Sequence, residues 1–562
     1  MLFSELAGYL EKLEGTASRL EMTRILAQLF RETSPEDARL VAYMTQGRLG
    51  PAYRSPDFGV ADKMMIRALG EGAGENFKKT GDLGRTVETI KSQDSSHKSQ
   101  TNHNLTISQV YKQLMEIALA GGEGSQELKV KLIGELVNRL SGKEAKYAVK
   151  MVLGKLRTGF SDMTVLDALS WMIGGDKKLR PAIENMYNVR ADLGEIAEEI
   201  VRHKKPRKIE PEIGTPVLMA RCERAKDAAE IWKRNGECAV EYKLDGLRIQ
   251  AHIQRSVSLF SRGLENVTSM YPDVVEGLKK QIKKDCIVEG EMIALGKNGK
   301  FLPFQETVQR KRKYGIAEMA EKVPLTIYLF DVLMTDRTNM TNKTYMERRG
   351  ELEKLVNAGN IVKLMPMEKV ENETEIERFF RKALADGCEG VIAKKLDGVY
   401  AAGARDFNWI KYKKSYDKSA LSDTLDLVVL GYDVGQGKRA GFGIGDFLAG
   451  VYQPEADKYL TVAKIGTGLT DEEWRKIKLT VDNYQLTVKP ENYEVGKQMN
   501  CDFWVEPKLV VEIKADEITS SPMHTAGYAL RFPRLVSFRK KKPEDATSVE
   551  ELKRLYTLQY AR

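Results

Sequence analysis

The chain has 562 residues, 42% of them hydrophobic and 30% charged, and its formal net charge is +9. At roughly 150 residues per domain, this length predicts three or four domains that each bury a core. No apolar run approaches the roughly 20 residues of a membrane span, and no basic segment precedes an apolar one at the N-terminus. We therefore expect a soluble, cytoplasmic protein that is not associated with a membrane.

Cysteine spacing and basic clusters narrow the class further. The five cysteines are far apart and form no Cys-x-x-Cys pair, which argues against a zinc knuckle or a disulfide framework and indicates a reducing, intracellular setting. Basic residues cluster at 202–208, 310–313 and 539–542. Any single cluster is compatible with a solvated loop, but three clusters in a net-basic protein raise the expectation of phosphate contacts.

The first 200 residues of the sequence predict helices. Ser34 followed by Pro35 combines an N-cap serine with a first-turn proline, and Ser18 begins a capping box. Amphipathic stretches continue at about 107–120, 126–141 and 143–156. The polar segment 92–106 lacks aromatic residues and is predicted to be a mobile loop between helices. We expect an all-α N-terminal domain over residues 1–208.

Beyond a basic, proline-containing stretch at 202–211, short predicted strands become frequent. Period-2 or apolar runs alternate with Gly and Asp-Gly turns, at 238–243, 247–253, 286–295, 325–334 and 389–394. This pattern predicts an α+β domain over residues 209–418. From about residue 424, short strands separated by glycine-rich turns predict a small C-terminal β-barrel over residues 419–562.

Residues 241–248, Glu-Tyr-Lys-Leu-Asp-Gly-Leu-Arg, carry the strongest chemical signal in the chain. Lys243 stands at the end of an apolar strand, an Asp-Gly turn follows, and the chain returns as a second strand that carries Arg248. Glu241 and Lys243 share one face of their strand, because side chains alternate along a strand. A lysine held in this way can act as a nucleophile, although a plain hairpin with an exposed lysine explains the octapeptide equally well.

A series of polar and aromatic positions follows Lys243, each on or beside a predicted strand. In chain order they are Arg262, Glu289, Glu291, Phe330, Glu389, Arg405, Lys411 and Lys413. Each one alone is compatible with an ordinary core or surface position, whereas the whole ordered set is hard to obtain by chance. Because hard carboxylate oxygens suit Mg²⁺, Glu291 and Glu389 are the candidate ligands for Mg²⁺ or another divalent cation.

This ordered set resembles the motifs of the ligase and capping-enzyme superfamily, and the full chain resembles an archaeal-type ATP-dependent DNA ligase. The long helical N-terminal region and the late segment Ala529-Leu-Arg531-Phe-Pro-Arg534 carry the narrower resemblance. It implies a helical DNA-binding domain, a nucleotidyltransferase domain and a C-terminal OB-fold. It also implies ATP as the nucleotide and nicked duplex DNA as the partner, with a role in replication, repair and recombination at the nucleoid.

The resemblance assigns the central role to Lys243, which would attack the α-phosphorus of ATP and form a lysine-AMP intermediate. The adenylate would then pass to a 5′-phosphate at a nick, and the 3′-hydroxyl would seal the backbone and release AMP. A nucleophilic lysine must lose its proton, so burial and neighbouring cations are expected to lower the pKa of Lys243.

The other motif residues take supporting roles in the same scheme. Phe330 would stack on the adenine ring, and Glu241, Glu291 and Arg405 would belong to the nucleotide site. Cationic side chains would neutralise phosphate charge in the transition state, namely Arg248, Arg262, Lys411 and Lys413. Arg531 and Arg534 would meet the pyrophosphate leaving group.

Four alternative functions share parts of this pattern. An RNA ligase or an mRNA capping guanylyltransferase would use the same lysine chemistry, but neither accounts for the helical block ahead of Lys243. An NAD-dependent ligase would carry a four-cysteine zinc site, which the cysteines of this chain are not spaced to build. A non-catalytic, basic DNA-binding scaffold would have no chemical need for Lys243, Glu291, Glu389 and Lys411 together.

Three local features remain open in the sequence. The glycine-rich segment 435–441 lacks the Ser/Thr of a P-loop, so it is a turn near DNA or a flexible turn. Members of this family often bind a sliding clamp through a glutamine followed by apolar and aromatic residues. Segment 100–105 contains a glutamine but no aromatic residue, and it is the only sequence feature that supports a sliding clamp as a second partner. We expect the protein to be a monomer. Related enzymes carry an acidic residue soon after the Arg534 motif, whereas here the run 539–542 is basic, so the role of Lys540, Lys541 and Lys542 is open.

Overall fold

The computed structural model describes residues 1–93, 104–156, 158–296, 299–312, 314–413, 424–435 and 437–560. The chain divides into two compact units, Met1–Lys411 and Tyr412–Arg562, and each is described by itself. No helix in the described ranges is both long enough and apolar enough to cross a membrane. The predicted loop at 92–106 and the candidate clamp segment at 100–105 lie largely outside the described residues.

Helices build the beginning of the first unit, as the amphipathic patterns predicted. They are α1 Phe3–Glu14, α2 Arg19–Glu32, α3 Pro35–Met44, α4 Asp62–Leu69, α5 Ala73–Thr80, α6 Leu83–Gln93, α7 Ile107–Leu119, α8 Ser125–Arg139, α9 Gly142–Val152, α10 Asp162–Gly174, α11 Arg180–Val189 and α12 Leu193–His203. Ser34 accepts a hydrogen bond from the Asp37 amide at 3.2 Å, which caps the helix that Pro35 opens. The apolar faces of these helices share one core, and the prediction of a helical N-terminal region is confirmed.

Strands and helices alternate through the rest of the first unit. The strands are β1 Arg221–Arg224, β2 Cys238–Lys243, β3 Leu247–Ile253, β4 Val257–Ser261, β5 Cys286–Ala294, β6 Leu325–Thr335, β7 Thr338–Asn339, β8 Val362–Leu364, β9 Met367–Val370, β10 Gly390–Lys395 and β11 Arg405–Lys413. The helices are α13 Ala228–Asn235, α14 Pro272–Gln281, α15 Phe304–Val308, α16 Ile316–Lys322, α17 Tyr345–Leu355 and α18 Glu373–Ala385. The predicted α+β middle region is therefore confirmed.

Two sheets organise this middle region. The first sheet has the order β1-β11-β10-β2-β9, and the second has the order β4-β3-β5-β6-β7 with β8 beside β6. Because β2 and β3 belong to different sheets, the turn 244–246 carries the chain from one sheet to the other. Gly246 is needed in this turn, since a Cβ there would lie 2.4 Å from the carbonyl oxygen of Met292. The turn thereby places Lys243 and Arg248 where the two sheets meet.

The strand register sets the positions of the polar side chains. It pairs Arg248 with Glu291, Gln250 with Glu289, and Lys243 with Gly390. The register between β5 and β6 shifts beside Phe330, because Glu289 pairs with Asp331 and Gly290 pairs with Leu329. Such a bulge turns a side chain away from the regular alternation of the strand. Phe330 therefore occupies a special position on β6 next to the carboxylate pair of β5.

Within the first unit, the helices dock on the second sheet beside segment 214–220. Arg54 Nη2 donates a hydrogen bond to the Gly214 carbonyl at 3.1 Å, and the Leu218 amide donates one to the Asn188 carbonyl at 2.7 Å. On the same side the helical region packs against the sheet through Tyr53, whose ring meets that of Phe260 edge-on at 5.7 Å. Arg54 and Asn188 of the helical region thus hold segment 214–220 in place.

The second unit is rich in strands. They are β12 Leu425–Asp433, β13 Asp446–Gln453, β14 Lys458–Ile465, β15 Gln485–Leu486, β16 Tyr493–Glu494, β17 Phe503–Val505, β18 Val510–Lys514, β19 Glu517–Ser520, β20 Tyr528–Arg531 and β21 Arg534–Arg539, with helices α19 Asp471–Asp482 and α20 Val549–Tyr560. Its main sheet has the order β15-β17-β12-β13-β14-β16, and β18 joins β12 to β21. The prediction of a β-rich C-terminal region is confirmed.

Candidate nucleotide-binding site

Lys243 is the centre of a charged cluster in the first unit. Its side chain is 20% exposed at the end of β2, and its Nζ donates a hydrogen bond to Glu389 Oε2. Glu291 on β5 is near enough for its charge to act on Lys243. One lysine and two carboxylates therefore come together where the two sheets meet.

The carboxylates beside Lys243 favour its protonated form. Burial disfavours the ammonium, but Glu389 and Glu291 outweigh burial and raise the pKa of Lys243 above its ordinary value. The expected lowering of this pKa is therefore wrong for the protein without substrate, because the group bonded to Lys243 is an anion. Burial also raises the pKa of the Glu291 carboxyl to about 7, although the charges of Lys243 and Arg248 oppose that shift.

Glu241 lies two residues before Lys243 and is buried in a dense set of partners. Its Oε2 lies 2.8 Å from Lys394 Nζ, and its Oε1 accepts a hydrogen bond from Tyr345 Oη at 2.5 Å. Arg349 Nη1 lies 3.7 Å from the same Oε1. These partners hold Glu241 in one orientation, so it forms a fixed wall of the site.

Phe330 and Trp409 form the aromatic part of the site. Their rings meet edge to face with centroids 5.9 Å apart. Lys394 Nζ lies 4.8 Å from the Phe330 centroid and 4.3 Å from that of Trp409, and the Arg248 guanidinium lies 5.4 Å from both. Aromatic rings flanked by cations suit a ligand that combines a flat base with phosphates.

Arg248 is anchored by two hydrogen bonds. Its Nη1 donates to the Ala220 carbonyl at 2.7 Å, and its Nη2 donates to Glu289 Oε2 at 2.8 Å. The anchors leave the guanidinium beside the aromatic rings and within electrostatic reach of Glu291. Arg248 therefore contributes a fixed positive charge to the cluster around Lys243.

The charges that act on Cys222, a residue of β1, show which further cations lie near the cluster. Burial raises the pKa of its thiol, and the positive charges of Arg248, Lys243, Lys411 and Lys394 oppose that rise. All four cations therefore lie within electrostatic reach of Cys222. Lys411 lies on β11, where it pairs with Arg224 of β1.

The remaining predicted site residues of this region lie at strand ends. Arg262 is exposed in the turn after β4, and Arg405 is exposed at the start of β11. Lys413 ends β11. The structure thus gathers part of the predicted set into one cluster, namely Glu241, Lys243, Arg248, Glu291, Phe330, Glu389 and Lys411.

Arg531 and Arg534 lie in the second unit, at the end of β20 and the start of β21. Arg531 Nη1 lies 3.6 Å from Glu517 Oε2, and Arg534 pairs with Asp516. In the basic run that follows, Lys541 Nζ lies 2.8 Å from Asp426. One lysine of the run 540–542 therefore has an acidic partner within its own unit.

The basic clusters of the sequence are paired with acids to a large extent. Arg310 is 1% exposed, and its Nη2 lies 2.7 Å from Asp273 Oδ1. Lys311 Nζ lies 2.7 Å from Glu265 Oε2. The expected phosphate contact is therefore wrong for Arg310, because a buried and paired guanidinium cannot reach a ligand outside.

Three side chains of the site, Lys394, Tyr400 and Gln250, were not predicted to be site residues from the sequence. All three are buried: Lys394 donates a hydrogen bond to the Phe330 carbonyl, and Tyr400 and Gln250 donate to Glu289, the partner of Arg248. A weak signal existed for Lys394, since a lysine at the end of an apolar strand must find a partner if that strand is central. No local signal marks Tyr400, whose partner Glu289 lies more than a hundred residues away.

The donor set around Lys243 fits a magnesium ion. Among the described residues, no group of three or more His, Cys, Asp and Glu side chains is arranged to hold a metal. Mg²⁺ usually takes one or two protein carboxylates and completes its shell with water and phosphate oxygens. Glu291 and Glu389 supply two carboxylates whose charges both act on Lys243, and burial raises the pKa of the Glu291 carboxyl, which a bound cation would offset.

Comparisons with known proteins agree with this geometry. Three models of ATP-dependent DNA ligases match the chain: the N-terminal model over residues 2–170, the ATP dependent DNA ligase domain over 216–413, and the C-terminal region over 440–542. Among solved structures, a chain named Pmar-Lig_Pre. has a TM-score of 0.54 and 17% identity, and the match covers 96% of this chain and 99% of that one. At that identity the likeness shows the fold alone.

Full-length relatives are much more similar in sequence. "Probable DNA ligase" of Dictyoglomus turgidum is 43% identical over 577 residues, covering 99% of this chain and 97% of that protein. "DNA ligase 2" of Thermofilum pendens is 41% identical over 590 residues with the same shares, and "DNA ligase" of Nitrosopumilus maritimus is 39% identical over 583 residues, covering 99% and 98%. Three family models in chain order and relatives above 30% identity over the full length show that this chain belongs to the family of ATP-dependent DNA ligases.

Proposed function

We propose that this chain uses ATP to join a 3′-hydroxyl to a 5′-phosphate at nicks in duplex DNA, with Lys243 as the residue that carries AMP. Nick sealing through an adenylate intermediate is the function of its family. The observation that supports this assignment within the chain is the cluster of Lys243, Glu389 and Glu291 beside Phe330 and Arg248. It combines a nucleophile, a cation site and a base site in one place.

In the proposed first step, Lys243 Nζ attacks the α-phosphorus of ATP. A nitrogen–phosphorus bond forms, the bond from the α-phosphorus to the bridging oxygen breaks, and pyrophosphate leaves. The ammonium must give up a proton beforehand, and until then it is held by the hydrogen bond from Nζ to Glu389. The raised pKa of Lys243 means that the protein without substrate holds the nucleophile as an ammonium.

The other residues position the nucleotide. Phe330 stacks on adenine, Glu241 belongs to the nucleotide site, and Arg248 and Lys411 supply positive charge to the phosphates. Arg262 and Lys413 are also proposed to supply positive charge to the phosphates, and Arg405 is proposed to belong to the nucleotide site. All three lie at or beside the ends of strands. Glu291 and Glu389 would hold Mg²⁺. A Mg²⁺ ion bound there would neutralise negative charge on the phosphates of ATP.

In the later steps, the adenylate passes from Lys243 to the 5′-phosphate of the nick, and attack by the 3′-hydroxyl releases AMP. We assign the helical region 1–208 to DNA binding, residues 209–418 to nucleotidyl transfer and residues 419–562 to an OB-fold. Arg531 and Arg534 are proposed to bind the pyrophosphate. The partner is nicked duplex DNA inside the cell, the protein is proposed to act as a monomer, and a sliding clamp is a second proposed partner.

The deciding experiment uses ATP labelled at the α-phosphate, together with Mg²⁺ and the full chain. We expect label that survives denaturation in the wild type and in Lys395→Ala, an exposed lysine of the same region, but not in Lys243→Ala. A chase with nicked DNA should discharge the label and seal the strand. Transfer only to RNA ends would point to an RNA ligase or a capping enzyme, and no covalent label would refute the proposal.

A further inference from the structure

Glu289 lies in the middle of β5, is 0% exposed, and has no role in the scheme above. Its Oε2 accepts hydrogen bonds from Arg248 Nη2 and Tyr400 Oη, each at 2.8 Å. Its Oε1 accepts one from Gln250 Nε2 at 3.1 Å. A carboxylate shielded from water that accepts three hydrogen bonds has one stable orientation. Two neighbouring side chains of β3, Arg248 and Gln250, and the distant Tyr400 are therefore fastened to a single buried anion.

The same contacts fix Arg248 from two sides. Besides its bond to Glu289, its Nη1 donates to the Ala220 carbonyl at 2.7 Å, and the Ala220 amide donates to Tyr400 Oη at 2.9 Å. A guanidinium is planar, so anchors on both terminal nitrogens determine the direction in which its plane faces. Glu289, Tyr400 and Ala220 together therefore decide how Arg248 is presented beside Phe330.

A second branch of hydrogen bonds leads away from Glu289 to the helical region. Gln250 is 0% exposed, and its Oε1 accepts a hydrogen bond from His252 Nε2 at 2.9 Å. His252 Nδ1 in turn accepts one from the Gly214 amide at 2.9 Å. The Gly214 carbonyl accepts the hydrogen bond from Arg54 of the helical region at 3.1 Å. The branch therefore ends where the helices dock on the sheet.

We propose that Glu289 is a positioning residue that holds Arg248 in the orientation needed to receive the ATP phosphates. Glu289 touches no reacting atom and acts through Arg248. The inference rests on the proposed function, since it requires that Arg248 meets ATP. It predicts that loss of the Glu289 charge weakens the use of ATP without weakening DNA binding.

The test compares Glu289→Gln with the wild type in self-adenylation and in binding to nicked DNA. Glutamine keeps the size and one acceptor but removes the charge-assisted bond to Arg248. We expect the KM for ATP to rise about tenfold, while the Kd for nicked DNA changes by less than about twofold. Glu289→Asp restores the charge and is expected to recover part of the loss.

Asp273→Asn is the matched control, because it neutralises the partner of another buried arginine, Arg310, in the same region. It is expected to lower the melting temperature but to leave the KM for ATP within about twofold of the wild type. This comparison separates a general loss of stability from a change in the position of Arg248.

Provided that the wild type becomes labelled with AMP, either of two results would overturn the inference. One is an unchanged KM for ATP in Glu289→Gln, and the other is an equal rise in the KM for ATP and the Kd for DNA. If Glu289→Gln does not fold, Tyr400→Phe decides: it removes only the hydroxyl between Glu289 and Ala220, and we expect the KM for ATP to rise about threefold. No rise in Tyr400→Phe would overturn the inference as well, whereas a wild type without label would contradict the proposed function itself.

Discussion

Lys394 and Glu241 form an ion pair from which water is almost excluded, with nitrogen and oxygen 2.8 Å apart and side chains 0% and 2% exposed. Lys394 Nζ also donates a hydrogen bond to the carbonyl of Phe330 at 3.0 Å. Since β2 and β10 belong to the first sheet and β6 to the second, this lysine ties the two sheets together. It does so next to the nucleophile, because Glu241 is two residues from Lys243.

Lys394→Met is expected to destabilise the protein strongly. The substitution keeps the apolar length of the side chain but leaves the buried Glu241 carboxylate without its closest cation, which costs about 3–5 kcal/mol in the free energy of unfolding. Urea denaturation followed by circular dichroism measures the loss. Lys395→Met is the control, since Lys395 is about half exposed beside Asp397 and its loss should cost no more than about 1 kcal/mol. Equal stability of the two variants would show that the buried pair contributes little.

Phe330→Leu is expected to impair the use of ATP. Leucine keeps an apolar contact but removes the aromatic face, so the KM for ATP in self-adenylation should rise about tenfold. Phe330→Tyr keeps the face and should stay within about threefold of the wild type. Initial rates of lysine adenylation over a range of ATP concentrations give both values. The stacking role is wrong if the leucine and tyrosine variants lose ATP affinity to the same degree.

The sequence predicted the inward-facing residues of the site because alternation along a strand is a local property. Glu241 and Lys243 share a face, Glu289 and Glu291 share another, and the register brings Arg248 opposite Glu291. The partners of these residues could not be predicted in the same way. Tyr400 reaches Glu289 from a segment 111 residues later in the chain, and such a contact exists only once both sheets are assembled.

Burial was the second property that local sequence did not reveal. Arg310 belongs to a run that is basic in sequence, yet it is enclosed with Asp273 and bonds to the Val323 carbonyl at 2.8 Å. The pKa of Lys243 could not be predicted for a related reason, because the direction of its shift depends on which charges face the side chain across the sheets. In both cases the residue type was clear and its surroundings were not.

Replacing either proposed metal ligand is expected to raise the concentration of Mg²⁺ that self-adenylation requires. Glu291→Gln and Glu389→Gln each remove one anionic oxygen donor, so half-saturation by Mg²⁺ should shift upward about tenfold or more. Removal of the metal with EDTA should prevent labelling of the wild type. Titration of Mg²⁺ at saturating ATP provides the measurement, with the exposed Glu321→Gln as control. An unchanged Mg²⁺ requirement in both variants would place the metal elsewhere.

Arg310→Met is expected to lower stability rather than to remove a phosphate contact. Its guanidinium makes two hydrogen bonds to Asp273 with no exposed surface, so its loss should cost about 3–5 kcal/mol in the free energy of unfolding. Arg312→Met, at an exposed position of the same run, should cost less than about 0.5 kcal/mol. Thermal melting of both variants makes the comparison, and equal melting temperatures would mean that the buried arginine is not structural.

His252 is expected to make the protein sensitive to acid. Burial lowers its pKa from 6.5 to about 3, so between these values the unfolded chain binds a proton that the folded protein does not. Stability contributed by the neutral ring is therefore complete above about pH 6.5 and is lost as the pH falls, by about 2 kcal/mol between pH 7 and pH 5. Protonation would also break the hydrogen bond that His252 Nδ1 accepts from Gly214.

The measurement compares the wild type with His252→Gln by urea denaturation at pH 7 and pH 5. The comparison is necessary because Glu291 acts in the opposite direction: its pKa is raised to about 7, so its contribution to stability grows as the pH falls toward 4.5. That contribution is common to both proteins and cancels in their difference. The stability advantage of the wild type should therefore shrink by about 2 kcal/mol on going from pH 7 to pH 5. A difference that does not depend on pH would mean that His252 is protonated as readily in the folded protein as in the unfolded chain.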